Sequence, residues 1–235
     1  MKFGVIMFPG SNCDHDAWFA TKVNAGCDSE FLWHKSIEIP DGIDCIILPG
    51  GFSYGDYLRC GAIARFSPIM NRVVEYANSG GYVLGICNGF QILTEPGLLP
   101  GTLLRNSNMN FICRDVHLNI VNNSTPFTRK TRKGDILRIP IAHGEGNYFA
   151  PPDIIDELER TDRIIFRYCE TNGDITENSN PNGSINNIAG IINEKGNVMG
   201  MMPHPERYSD ALAGCTDGLR IFESLKEFFN GNTNG

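Results

Sequence analysis

The chain has 235 residues and no apolar run long enough to cross a membrane. Its longest uncharged stretch, residues 76–94, holds Asn78, Ser79, Gly80, Gly81, Asn88 and Gln91, so it is no spanning helix. The apolar opening segment ends at Pro9-Gly10, too early for a secretion signal. Basic surplus is missing too. Lys and Arg number 20 against 27 Asp and Glu, a net charge of −7, which disfavours nucleic-acid or anionic-membrane partners. There is no GxxxxGK[ST] and no GxGxxG after a strand, so the common nucleotide-binding loops are absent. No two of the eight cysteines (13, 27, 45, 60, 87, 113, 169 and 215) form a CxxC pair, which excludes zinc-ribbon and thioredoxin-like readings. Their apolar neighbours suit reduced thiols in a cytoplasmic chain. The sequons at Asn122, Asn123 and Asn182 are then chance matches.

What is present alternates. Residues 2–8, 45–48 and 82–86 are apolar runs closed by glycine or proline, the pattern of strands buried on both faces. Residues 30–33 read as a weaker strand. Helices are expected over 14–24, over 68–78 with Pro68 in the first turn, and over 88–95. The second half is richer in extended segments: 111–121, 136–141, 164–169, 188–193 and 198–202. Helices are expected there at 151–160 and 216–229, and a long polar surface loop or a turn-rich hairpin at 171–187. The expectation is an α/β fold in one domain over 1–235, with a mostly parallel open sheet and helices on both faces.

The sharpest local signal is Gly85-Ile86-Cys87-Asn88-Gly89, a nucleophile-elbow pattern with cysteine in the reactive position. Small neighbours are needed because the nucleophile sits on a tight, strained strand-to-helix turn. The bland alternative is a core cysteine in a glycine-rich turn. A helix terminus alone is worth about 0.3–1 kcal/mol, too little to ionise a thiol whose ordinary pKa is about 8.5, so a histidine partner is required.

Five histidines are available, and two have a glutamate two residues on: His143-Gly144-Glu145 and His204-Pro205-Glu206. In an extended segment such residues point the same way, so either pair offers a base with its orienting carboxylate. Pro203 and Pro205 stiffen the second pair, which favours His204 and Glu206. His143 lies among glycines, as a loop histidine or a contact to a partner would. Pro49-Gly50-Gly51, after another buried strand, offers a backbone N–H for an oxyanion, as does Asn88. The basic run 129–133 reads as a solvated loop or a partner contact.

Together Gly85-Ile86-Cys87-Asn88-Gly89-Phe90-Gln91, Pro49-Gly50-Gly51 and His204-Pro205-Glu206 resemble the class I glutamine amidotransferases. Finer motifs are similar to those of the glutaminase subunits that serve purine biosynthesis: residues 8–14, 50–59, 142–148, 180–184 and 200–207. The resemblance implies glutamine as substrate and hydrolysis through a thioester on Cys87. His204 would be the base, Glu206 its orienter, and the N–H groups of Gly51 and Asn88 the oxyanion donors. Gly50 and Gln91 would contact the substrate, and His143 and Glu145 a partner. It further implies a separate synthetase subunit that uses ATP and Mg to convert formylglycinamide ribonucleotide to the amidine, and a small bridging subunit. No cofactor or metal is expected on this chain, whose length leaves no room for an ATP-using domain. Two other readings remain open: a stand-alone γ-glutamyl hydrolase or Cys peptidase, and a non-enzymatic regulatory subunit.

Overall fold

The computed structural model describes residues 1–232. The first half builds strand β1 (Lys2–Met7), helix α1 (Asp14–Phe19), β2 (Asp28–Trp33), β3 (Cys45–Leu48), α2 (Pro68–Asn78), β4 (Tyr82–Ile86) and α3 (Asn88–Thr94). It continues through β5 (Thr102–Leu104), β6 (Ile112–Ile120), β7 (Ile136–His143), β8 (Asn147–Phe149), α4 (Pro152–Arg160) and β9 (Ile164–Cys169). Strands β10 (Ile188–Ile192) and β11 (Val198–Met201) and helix α5 (Leu219–Asn232) complete it. Helix α1 widens into a π-helical turn over Ala20–Asn24, which ends the segment expected as one α-helix.

Nine strands form one sheet in the order β2-β1-β3-β4-β11-β10-β9-β6-β7. The α/β class holds, but the sheet is mixed rather than mostly parallel. Pairings β1–β2, β1–β3, β3–β4 and β4–β11 are parallel. Pairings β10–β11, β9–β10, β6–β9 and β6–β7 are antiparallel. The cause is the connections. Parallel neighbours need a crossover, usually helical, whereas β10 turns directly back into β11 through a tight turn at Gly196. Every residue of β3, β10 and β11 is buried, so both faces of the central sheet are covered. On β1, Phe3 receives Phe222 of α5 edge to face at 6.4 Å. A separate two-stranded ribbon, β5–β8, was not legible in the sequence.

Because β3, β4 and β11 are adjacent and parallel, their carboxyl ends open on one edge of the sheet. The register sets Leu48 beside Gly85 and Met201 beside Ile86. Three loops distant in sequence therefore begin side by side: Pro49-Gly50-Gly51, the turn at Cys87, and Met202-Pro203-His204. Open α/β sheets bind ligands at such an edge.

Candidate active site

The elbow is built as its glycines require. Cys87 has φ 50° and ψ −105°, a left-handed conformation that costs a non-glycine residue about 1–3 kcal/mol. The Cys87 N–H donates to Met201 O at 2.7 Å, and its carbonyl accepts from the N–H groups of Phe90 and Gln91, which open α3. A Cβ on Gly89 would lie 1.9 Å from Leu48 O, so only glycine lets α3 start this close to β3. The sulfur is almost buried and lies 3.8 Å from Ala142 O.

His204 comes from the loop after β11, and its N–H donates to Pro140 O of β7. The ring is 1 % exposed, and its Nδ1 donates to Glu206 Oε1 at 2.6 Å. That bond settles the tautomer and leaves Nε2 as the proton acceptor. Among the described residues Nε2 has no hydrogen-bond partner, and neither has Glu206 Oε2. Burial opposes a charge on the ring, but Glu206, the Cys87 sulfur and Cys13 outweigh it and hold the imidazole well above its ordinary value. Their geometry is that of a thiol, a base and an orienting carboxylate at one sheet edge, able to attack a carbonyl and protonate its leaving group.

Two further features belong to this edge. Gly50 lies against the ring of His204, where an added Cβ would be 2.5 Å from Cε1, and Gly51 has φ +127°. Among the described residues the N–H groups of Gly51 and Asn88 donate to no protein acceptor, so both remain available. Asn88 Oδ1 accepts from the Ser53 N–H at 3.1 Å, and its Nδ2 donates to Gln91 Oε1 and Asp56 Oδ1. Gln91 Nε2 in turn donates to Glu145 O at 2.6 Å. This chain of bonds ties the loop after β3, the elbow and the β7–β8 loop into one wall. Burial is the main cause that raises the Asp56 carboxyl, with Glu145 nearby adding to it.

The second His-x-Glu pair is not a pair. His143 is 3 % exposed, with Nδ1 against Asn106 Oδ1 at 3.0 Å and Nε2 against Asn182 Nδ2 at 3.4 Å. Burial, reinforced by His204, pushes its pKa down to about 4. Glu145 turns away, accepting the Cys60 N–H and facing Arg105 at 3.8 Å. The ring of His143, expected to contact a partner, is enclosed within the described chain. It braces the β7–β8 loop from inside, while Glu145 keeps some exposure.

Sequence reasoning missed three residues here. Asn106 and Asn182 are fully buried, and Asn182 also holds Gly146 O at 2.8 Å, although the segment 171–187 reads as a polar surface loop or hairpin. Cys13 is 1 % exposed, and its sulfur, with His204 and Glu206, forms a set of donor atoms within 4.8 Å of one another. Such a set could hold a metal ion by spacing, but the Arg207 guanidinium already donates to that sulfur at 3.2 Å and opposes a cation. Cys13 does not fit the nucleophile's place. It lies in an unstrained turn at φ −106°, whereas Cys87 occupies the strained elbow. Its sulfur sits 3.4 Å from the point where a Gly50 Cβ would touch the ring's Cε1–Nδ1 edge, and Nδ1 is already bonded to Glu206. A surface cleft of about 270 Å³ is lined by Asp16, Phe19, Glu206 and Arg207.

An α/β sheet of this topology, with a cysteine elbow after β4 and a His–Glu pair after β11, is the arrangement expected of a class I glutamine amidotransferase. The profile of the CobB/CobQ-like glutamine amidotransferase domain matches residues 1–229. A phosphoribosylformylglycinamidine synthase subunit PurQ of Moorella thermoacetica is 56% identical over 97% of this chain and 97% of its own. A chain of the solved PurLQS structure from Thermotoga maritima is 43% identical, covers 97% of this chain and 98% of that one, and has a TM-score of 0.85. A crystal structure of another Thermotoga maritima glutamine amidotransferase, 18% identical with a TM-score of 0.55 over 100% of this chain and 86% of that one, shows the fold alone. The chain belongs to the CobB/CobQ-like glutamine amidotransferase family, on its branch of phosphoribosylformylglycinamidine synthase PurQ subunits.

Proposed function

We propose that this chain is the glutaminase subunit of a phosphoribosylformylglycinamidine synthase, and that it works as follows. His204 Nε2 takes the Cys87 proton, and the thiolate attacks the side-chain carbonyl carbon of glutamine. The N–H groups of Gly51 and Asn88 receive the developing oxyanion. His204 returns the proton to the nitrogen as the C–N bond breaks, which releases ammonia and leaves a thioester on Cys87. Water, deprotonated by His204, attacks the thioester, releases glutamate and restores the thiol. Glu206 holds the tautomer throughout and stabilises the imidazolium. Gln91, with Gly50 beside the ring, lines the substrate side.

One observation carries this reading: the 2.6 Å bond from His204 Nδ1 to Glu206, which leaves Nε2 unpartnered at the edge that Cys87 also occupies. The ammonia passes to a synthetase subunit that holds the ATP and Mg chemistry and acts on formylglycinamide ribonucleotide, with a small bridging subunit in the assembly. This chain needs no cofactor of its own for the glutaminase step. The solved relative is a PurLQS structure, which supports both partners. Phe52 and Phe111, stacked at 6.3 Å and both exposed, with exposed Tyr57, Leu58 and Met109, give a partner an apolar surface near the loop after β3. No described helix is long and apolar enough to cross a membrane, and all eight cysteines are free, which supports a cytoplasmic site of action.

The test is a glutaminase assay on the chain alone and with synthetase, bridging subunit, acceptor and ATP. Weak activity that rises on assembly is expected. Robust peptide or γ-glutamyl hydrolysis by the isolated chain, unchanged by the partners, would replace this reading with a stand-alone hydrolase.

A further inference from the structure

We propose that Cys13 is a positioning residue for the glutaminase reaction: its sulfur, held by Arg207, flanks the His204 ring and favours the imidazolium that faces Cys87. The proposal deepens the function just described and rests on it.

Four loops from across the chain meet at this ring. Cys13 precedes α1, Gly50 follows β3, Cys87 follows β4, and His204 with Glu206 follows β11. Gly50, without a side chain, lets both sulfur and ring approach: its Cβ position lies 2.5 Å from His204 Cε1 and 3.4 Å from Cys13 Sγ. The loop is pinned in place, since the Cys13 N–H donates to Gly50 O at 3.3 Å. The sulfur is fully enclosed and receives the Arg207 guanidinium at 3.2 Å. Glu206 occupies Nδ1, so Cys13 takes no proton from the ring in the ground state. It instead places a polarisable, lone-pair-bearing atom beside a buried ring that must carry a positive charge during the reaction. In a low-dielectric enclosure such an atom counts for more than it would in water.

The charges around His204 make this contribution consequential. Cys87 and Glu206 favour the imidazolium. His143, on β7, is neutral near pH 7 because of its own burial and the adjacent His204. Arg207, half-buried and next to Glu206 in the chain, would oppose a charged ring if its guanidinium were free. Asp16, at 4.0 Å, partly offsets that charge, and the hydrogen bond to Cys13 fixes where the guanidinium sits. Burial raises the Asp16 carboxyl, and Glu206 adds to it, while Arg207 and His204 pull it down, so the same electrostatic cluster extends onto α1. Cys13 thus serves twice: it holds the Arg207 guanidinium in place and sets its sulfur lone pairs beside the ring.

The experiment uses Cys13→Ala and Cys13→Ser in two settings. On the isolated chain, the His204 imidazole is titrated by ¹⁵N NMR, which needs no glutaminase activity. In the assembled complex, kcat and KM for glutamine are measured against pH. For Cys13→Ala the His204 midpoint is expected to fall by about half a pH unit or more, which is roughly threefold or more in the proton equilibrium. The alkaline limb of kcat is expected to fall with it while KM stays within about twofold; Cys13→Ser, which keeps an acceptor, recovers most of the shift. If Cys13→Ala does not fold, Cys13→Val, closer in size and likewise without an acceptor, reads the same midpoint. An unchanged midpoint in whichever acceptor-free variant folds would overturn the proposal. So would a glutamine-mimicking electrophile that labels Cys13 rather than Cys87, since Cys13 would then be the nucleophile. A wild-type complex with no glutaminase would sink the functional reading, yet the NMR titration would still decide the role of Cys13.

Discussion

The enclosed His143 makes a quantitative prediction about stability and pH. In the native chain its pKa is pushed down to about 4 by burial and by His204, whereas in an unfolded chain a histidine titrates near about 6.5. The sign follows from linkage. Above about pH 6.5 the residue is neutral in both states, and its contribution is fully present. As pH falls below that value the unfolded chain takes up a proton that the native chain refuses, so stability is lost until native His143 also protonates near pH 4. The gap corresponds to about 3 kcal/mol, a sizeable part of the roughly 5–15 kcal/mol typical of a folded domain. The perturbation is His143→Gln, which can donate and accept like the neutral ring but does not titrate. The assay is urea unfolding of both proteins at a series of pH values, read as the difference between them. Other titrating groups, His204 included, then cancel to first order. The difference should be flat above about pH 7 and fall by about 3 kcal/mol in the wild type's disfavour between pH 7 and 4. A difference that stays flat to pH 4 would refute the claim that His143 is held neutral in the fold.

Other expectations follow from the site. His204→Ala should abolish labelling of Cys87 by a glutamine-mimicking electrophile near neutral pH, while His143→Gln leaves it largely intact; the reverse, read by peptide mass spectrometry, would exchange the two histidines' roles. Gly89→Ala drives a methyl group to within 1.9 Å of Leu48 O, so it should cost roughly 2 kcal/mol or more in thermal unfolding and suppress labelling through displacement of α3. Asn182→Ala removes donors to Gly146 O, the His143 ring and Tyr168 Oη, at a cost of about 1–3 kcal/mol. Because the β7–β8 loop also holds Gln91, the KM for glutamine should rise more than kcat falls; unchanged KM would disconnect that loop from the substrate side.

Much of this was written locally. Strands β3, β4 and β9 and helix α2 fall on the residues expected, because uninterrupted apolar runs and a proline at the first helical position are short-range signals. The preference for His204 over His143 also came from local stiffness, and the Glu206 bond agrees with it. What was illegible depended on pairing. The second half reads as extended, but the expected mostly parallel sheet misses its antiparallel pairing, since strand direction depends on connections rather than composition. The three-residue strands β5 and β8 lie among Pro100, Gly101, Gly144 and Gly146, where turn signals mask pairing. Asn182 lies in a segment whose polar composition suggests a surface loop or hairpin, but a buried polar network has the same composition as a loop.

The sequence by itself determined the chemistry on offer: a cysteine between glycines at a strand-to-helix turn, and a histidine stiffened by prolines two residues from a glutamate. Those facts depend on backbone preference and residue spacing, which act over a few residues. Only the tertiary structure decided which groups meet. The order β3-β4-β11 brings Gly50, Cys87 and His204 to one edge. Burial closes His143 against Asn106 and Asn182 and places the overlooked Cys13 beside the reacting ring. The physical reason is that desolvation and contact depend on neighbours brought from far along the chain, and one-dimensional spacing carries no record of them.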